Sequence, residues 1–235
     1  MRLDQAVAAR HPEISRRKAR ELISERRVLV NDRPVGAASR EISDADRITI
    51  VEAVPEITVL RETAQWIAVN KPAGIPTQPP RDRSYRSLEE LLRVQHRNLF
   101  VVHRIDTGTS GVVLFAKTRE AAAQLSELFA SRSIRKTYLA VVSGVIAGET
   151  RIDSPIEGKD ALTVVRPVRG SLVEADLHTG RMHQIRVHLA SIGHPVLGDR
   201  RYGGPAASRL MLHAWRIEHE SFGVIEAPPP IDFQS

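Results

Sequence analysis

The chain has 235 residues, 42% hydrophobic and 26% charged, a balance that suits one large or two modest folded domains and excludes extensive disorder. It has no cysteine, which excludes disulfides and thiolate metal sites, and no run approaches the ~18 apolar residues of a membrane helix. Lysine and arginine number 34 against 28 aspartates and glutamates, and the formal net charge of +6 favours a polyanionic partner. The charged start Met1-Arg-Leu-Asp-Gln5 has no apolar signal segment, so the reading is a cytoplasmic protein with no membrane partner.

Residues 1–50 read as a compact module. Leu3, Ala6 and Val7 share helical spacing. A second helix is predicted from Ser15, an N-cap residue, with Ala19, Leu22 and Ile23 as its buried stripe. Arg16, Arg17, Lys18 and Arg20 fall mostly off that stripe. This segment holds 11 basic against 8 acidic side chains, half of the net charge in about a fifth of the chain. Such clustering is the electrostatic footprint of phosphate binding, the alternative being an ordinary solvated helix face, so these four residues are candidate phosphate contacts. Val28-Leu-Val30, the turn pair Asn31-Asp32 and Pro34-Val35 predict a hairpin, and Arg47–Val51 a closing strand. Two helices and a small sheet, with Ser-Arg-Arg opening the second helix, resemble the RNA-binding domain typified by ribosomal protein S-four. The chain departs from that pattern at Asp32, where glycine is usual, and at Ala45-Asp46, where Gly-Asp is common; both suit turns.

Glu52–Glu56 is short, contains proline and lacks periodicity, which places a domain boundary between 52 and 58. Beyond it, strands are predicted at Trp66–Val69, Val112–Phe115, Thr137–Val142, Leu162–Val168 and Ser171–Leu177. Helices are predicted at Leu88–Val94, Arg119–Ala130 and Arg181–Ile192. Strands outnumber helices and follow one another closely, so the fold class is α+β with a mixed, largely antiparallel sheet rather than a doubly wound one. Lys71–Arg86 and Ala227–Pro230 read as irregular.

Two polar runs stand out for chemistry. His103-Arg-Ile-Asp-Thr-Gly-Thr-Ser110 places a carboxylate, Asp106, in a loop directly ahead of the apolar segment Gly111–Ala116, where a rigid strand can hold it open to substrate. Thr179-Gly-Arg-Met-His-Gln-Ile-Arg186 brings Arg181, His183, Gln184 and Arg186 to the start of a helix. Its core stripe is Met182, Ile185, Leu189 and Ile192, and Arg186 lies off it. His178, His183, His188 and His194 match no zinc spacing, and no Gly-rich phosphate loop is present, so neither metal nor cofactor is expected.

These runs occur with Asn70-Lys-Pro-Ala-Gly74, Lys136-Thr-Tyr138 and His194-Pro-Val-Leu-Gly-Asp-Arg-Arg-Tyr-Gly203, all in order. The set resembles the RluA-type RNA pseudouridine synthases from about residue 60 onward. The resemblance implies a catalytic domain over 58–235 with the pseudouridine synthase fold, behind a small α/β RNA-binding domain over 1–52. It implies an isomerase that converts uridine to pseudouridine in structured RNA, ribosomal RNA being favoured and transfer RNA the alternative. No obligate protein partner is implied.

By the same resemblance the catalytic acid is Asp106, its ion-pair partner Arg186, and Tyr138 the residue that stacks on the extruded base, with a possible part in proton transfer. Lys71, Arg104, Arg181, His183 and Gln184 are the expected RNA contacts around them. Two other classes stay open on the residues alone: a non-catalytic RNA-binding protein, and a glycosidic hydrolase using Asp106 with Asp176 or Asp199 as a second carboxylate.

Overall fold

The structure, a computed structural model, describes residues 1–25, 27–31, 33–50, 57–79 and 87–233. These form two compact units, one within 1–50 and one from 57 onward. The boundary segment Glu52–Glu56, the turn residue Asp32 and the end of the loop running to Arg86 lie outside the described residues.

In the first unit, α1 (Leu3–Arg10) and α2 (Arg16–Ser24) pack on a three-stranded antiparallel sheet. Its order is β2 (Arg33–Pro34), β1 (Val28–Val30), β3 (Ile48–Ile50). Ser15 caps α2 by accepting from the Lys18 N–H at 3.2 Å. Leu3, Val7, Ala19, Leu22, Ile23, Val28 and Val30 make the core, matching the predicted stripes. Asp4, on the first turn of α1, is completely buried. It is held by the Nε atoms of Arg20 at 2.9 Å, Arg16 at 3.0 Å and Arg2 at 3.2 Å. Burial pushes its carboxyl up, but these three guanidinium contacts outweigh that and leave it well below the usual carboxylate range.

The second unit is built on one ten-stranded sheet, mixed and mostly antiparallel as expected. Its strands are β4 (Thr58–Glu62), β5 (Trp66–Lys71), β6 (Phe100–Val101), β7 (Ser110–Ala116), β8 (Arg135–Val141), β9 (Thr150–Ile152), β10 (Thr163–Arg169), β11 (Leu172–Leu177), β12 (Leu212–His219) and β13 (Gly223–Glu226). The path is β4-β5-β7-β12-β8-β11-β10-β9, with β6 on β7 and β13 on β12. Among the described pairs only β7 and β12 run parallel, with His213 opposite Ser110 and Ala214 opposite Gly111. Every residue of β7 is buried, which explains its unbroken apolar sequence.

Three α-helices and a short 3-10 turn at Ile231–Phe233 are found among the described residues of this unit. The α-helices are α3 (Leu88–Leu92), opened by a capping box between Ser87 and Glu90, α4 (Arg119–Ala130), capped by Thr118, and α5 (Gln184–Ser191). The bounds of α4 match the sequence reading. The helix predicted from Arg181 starts at Gln184 instead, because His183 sits at φ 55° in the left-handed region and Gln184 folds residues 179–181 back onto itself. Met182 therefore leaves the predicted core stripe and is exposed.

Candidate active site

The segment between β6 and β7 is pinned at alternate residues. His103 Nε2 accepts the Leu114 N–H at 2.9 Å, and its ring stacks on Phe129 of α4 at 4.1 Å between centroids. Ile105 is buried and clamped at both backbone groups by the Thr77 hydroxyl. The Thr107 carbonyl accepts from Lys71 Nζ at 3.2 Å and from the Gly74 N–H at 2.8 Å. Thr109 N–H closes a turn onto the Asp106 carbonyl at 3.0 Å. With 103, 105, 107 and 109 anchored, Asp106 and Arg104 are presented outward. The Arg104 guanidinium is exposed and has no partner among the described residues.

Asp106 faces α5. Its Oδ2 lies 3.3 Å from Arg186 Nη1 and 3.8 Å from His183 Nε2, and its side chain keeps 29% of its exposure. Arg186 is in turn gripped by Asp199, a fully buried carboxylate, through Nε at 2.6 Å and Nη2 at 2.8 Å. The Arg201 and Tyr202 N–H groups also donate to Asp199, at 3.1 and 3.3 Å. The Tyr202 ring covers the guanidinium at 5.1 Å, and its hydroxyl shares a 3.0 Å hydrogen bond with His183 Nδ1. Burial pushes Asp199 up, but Arg186 and the two amides bring it below its usual range. Burial likewise works against the Arg186 charge, and Asp199 followed by Asp106 more than restores it.

Tyr138 projects from the middle of β8, half-buried between two hydrophobic clusters. Its hydroxyl has no hydrogen-bond partner among the described residues. Burial, then the nearby Asp106 charge, pushes the phenol well above its ordinary value. The three residues expected to carry chemistry are thus brought together, with Asp199 and Tyr202 as a supporting layer that the sequence analysis did not assign to them.

Two expected RNA contacts are corrected. Lys71 is fully buried, and its three ammonium protons go to the carbonyls of Ile75 at 2.7 Å, Pro72 at 3.0 Å and Thr107 at 3.2 Å. None is left for a phosphate; Lys71 ties two loops together beneath Asp106. Burial lowers its pKa to about 7 against the opposing pull of Asp106. Gln184 is also buried. Its oxygen accepts from the Thr179 hydroxyl and the Arg181 N–H, and its amide donates to the Leu162 carbonyl and Thr163 hydroxyl, so it builds the turn rather than meeting a ligand. Arg181 is half-exposed with Nε on the Asp160 carbonyl at 2.9 Å, and His183 lines the Asp106 cleft. On the first unit Arg17 is 91% exposed and lies 3.5 Å from Glu21, Lys18 donates to Glu21 at 3.0 Å, and Arg16 and Arg20 commit Nε to Asp4.

Asp199 and Asp176 do not serve as a second acid. Asp199 accepts four hydrogen bonds around Arg186, and Asp176 is buried on β11 among Arg166, Thr137 and Arg135. A hydrolase of glycosidic bonds needs its second carboxyl open to water or leaving group. No helix among the described residues is long and apolar enough to cross a membrane.

One accessible carboxylate, held against an arginine beside a half-buried tyrosine, leaves no second open acid for a hydrolase and fits the class that the motif resemblance implies, a base-handling enzyme of RNA. Comparison with known proteins identifies which. Residues 65–191 match the RNA pseudouridylate synthase family, and residues 1–48 match the S4 domain. The chain is 33% identical to an uncharacterized RNA pseudouridine synthase, YhcT, of Bacillus subtilis, over 83% of this chain and 76% of that one. It is 31% identical to the ribosomal large subunit pseudouridine synthase D of Nitrosomonas europaea, over 99% of this chain and 82% of that one. Among solved structures, human RNA pseudouridylate synthase domain containing 1 superposes with a TM-score of 0.64 at 26% identity, covering 74% of this chain and 84% of the other. The chain belongs to the RNA pseudouridine synthases, isomerases acting on RNA, and carries an N-terminal S4 domain.

Proposed function

We propose that this enzyme isomerises uridines of ribosomal RNA in the cytoplasm, with residues 1–52 as its RNA-binding domain and 58–235 as its catalytic domain. Asp106 acts at the sugar, Arg186 keeps that carboxylate paired, and Tyr138 stacks on the extruded base. The observation that carries this reading is the Asp106–Arg186–Asp199 chain beside Tyr138. It supplies one accessible acid with a fixed counter-charge and an aromatic platform.

In the reaction the bond from N1 to C1′ breaks and one from C5 to C1′ forms, C5 gives up its proton and N1 ends with one. Atoms balance with no co-reactant. Asp106 meets the sugar with the Arg186 guanidinium fixed 3.3 Å from its Oδ2, so the acid is oriented and faces a preset counter-charge as charge develops at C1′. The raised pKa of Tyr138 keeps its phenol protonated, which suits a stacking surface and hydrogen-bond donor better than a base. His183, at 3.8 Å from Asp106, is a further titratable group at the cleft, and burial lowers its pKa toward the neutral imidazole.

Ribosomal RNA is favoured by relatives named ribosomal large subunit pseudouridine synthase D in Nitrosomonas europaea, Neisseria meningitidis and Yersinia pestis. The test uses uridine-labelled ribosomal and transfer RNA transcripts with the purified protein and its Asp106→Asn variant. Pseudouridine in the ribosomal transcript, absent with the variant, is expected, with RNA affinity unchanged within a few-fold. Free uracil would instead mean hydrolysis, and product only in transfer RNA would move the substrate. Variant activity above a hundredth of wild type would remove Asp106 from its role.

A further inference from the structure

Lys136 lies two residues before Tyr138 in β8, so both side chains leave the same face of the strand, about 7 Å apart along it. Unlike Lys71, it has no hydrogen bond or ion pair among the described residues, although it is half-buried. Around it stand the His103 ring, the Arg132 side chain at the left-handed turn that ends α4, and Gly180, whose missing Cβ would sit 4.0 Å from Nζ. His103 is held neutral and Arg132 is exposed and positive, and no carboxylate among the described residues pairs with the ammonium. Burial, then Arg132, lowers the Lys136 pKa. Nζ is not sealed off, since Arg216 Nε is the one fully buried side-chain polar atom left unpartnered among the described residues.

A half-buried ammonium beside a second cation is unfavourable unless an anion completes it. Resting on the proposed role of Tyr138 as the base platform, we propose that Lys136, with Arg132 at its rim, binds a backbone phosphodiester adjoining the target nucleotide. The placement decides the class of ligand. With a base on Tyr138, the adjoining phosphodiester falls within the reach of Lys136, about 7 Å along the same face of β8, and a compact ammonium suits phosphate. Gly180 leaves the approach open, which any side chain would narrow.

The test measures binding of uridine-containing single-stranded RNA across a salt series, in the full-length Asp106→Asn protein so that turnover does not intrude. Adding Lys136→Met should lower the slope of log affinity against log salt by roughly 0.7, and Lys136→Arg should restore it. Thermal melting confirms that each variant is folded. In parallel, oligonucleotides with one neutral methylphosphonate at each linkage near the target uridine are bound to the Lys136 protein. One linkage should weaken binding several-fold there, and should have no effect with Lys136→Met. An unchanged slope, or indifference of the Lys136 protein to every neutralised linkage, would overturn the proposal. Isomerisation by the unmutated protein is assayed separately. Its failure with the salt effect intact would discard the catalytic reading alone, whereas turnover with no salt effect would discard the phosphate site alone.

Discussion

Asp199 grips Arg186 with both carboxylate oxygens, at 2.6 and 2.8 Å from Nε and Nη2, and thereby aims the remaining amino group, Nη1, at Asp106. A guanidinium is a rigid planar fork, so fixing two of its nitrogens fixes the third. Asp199 is itself immobilised by the amides of Arg201 and Tyr202, and the Tyr202 ring lies over the fork. Arg186 therefore approaches Asp106 as a preset charge rather than a mobile surface side chain.

Asp199→Asn should separate positioning from bulk stability. The amide keeps the volume but offers one acceptor oxygen in place of two, so Arg186 loses its bidentate hold. Turnover is expected to fall roughly 10²-fold, the scale of misplacing a catalytic contact by about 1 Å, with KM changed only a few-fold. Steady-state kinetics on a transcript decides it. A kcat within threefold of wild type would make Asp199 a structural residue only, and a KM rise without a kcat loss would assign it to RNA binding.

The elements legible in the sequence were those with strong local signals. Ser15, Ser87 and Thr118 cap the helices that follow them, and the apolar run of β7 marks the buried strand behind Asp106. Three of the strands that escaped notice, β12, β6 and β9, have physical reasons. β12 buries His213, whose ring bonds Ser110 at 2.9 Å and the Ala227 carbonyl at 3.1 Å, so its polarity pattern does not read as a core strand. β6 and β9 are two and three residues long. At the site, the family motifs pointed to Asp106, Tyr138 and Arg186 but could not tell a cation facing RNA from one consumed internally. Lys71 and Gln184 look like ligand contacts in sequence, and only three-dimensional hydrogen-bond accounting shows both fully satisfied by the protein. Asp199 and Tyr202 lie in a matching motif, yet their service to Arg186 is a long-range contact that no local pattern encodes.

Gly111 is the point where the Asp106 loop enters the parallel pair, at φ 117° and with the space for a Cβ already taken by the Ala214 carbonyl group. Gly111→Ala must push β7 and β12 apart as well as strain the backbone. A loss of about 3 kcal/mol or more is expected in chemical denaturation, with activity falling further than the unfolded fraction accounts for because Asp106 moves with the loop. A loss under about 1 kcal/mol would mean that the β7–β12 junction yields more readily than close packing allows.

Charge on the first unit should divide by what it touches. Arg17 and Lys18 contact only the exposed Glu21, whereas Arg16 and Arg20 hold the buried Asp4. The double change Arg17→Gln with Lys18→Gln should therefore leave stability nearly unchanged and reduce the salt slope for single-stranded RNA by roughly 1.4, if each loses one phosphate contact. Asp4→Asn should instead destabilise the unit by about 1.5–3 kcal/mol, the scale of hydrogen bonds to a charged group. An unchanged slope in the double variant would return Arg17 and Lys18 to an ordinary solvated helix face.

Acid should act through His103. Its Nε2 must keep a lone pair for the Leu114 N–H, and burial, then the neighbouring Lys136 charge, pushes its pKa from 6.5 down to about 3. In the unfolded chain the imidazole is free to take a proton near its ordinary value. Between these two values the unfolded state binds the extra proton, so folding stability rises with pH there. The stabilisation from neutral His103 is complete above pH 6.5 and is lost as pH falls toward 3. His213, lowered to about 4 chiefly by burial, adds a second loss of the same sign over a narrower window. His103→Gln keeps an acceptor for Leu114 but removes the titration. Urea denaturation at steps from pH 7 to 4 should show the variant losing less stability than wild type, by up to about 1.4 kcal/mol per pH unit below 6.5. The comparison cancels the carboxylates common to both proteins. Parallel stability curves for the two would show that His103 takes up its proton equally in the folded and unfolded chains, and the acid sensitivity would then belong to His213 and the buried ion pairs.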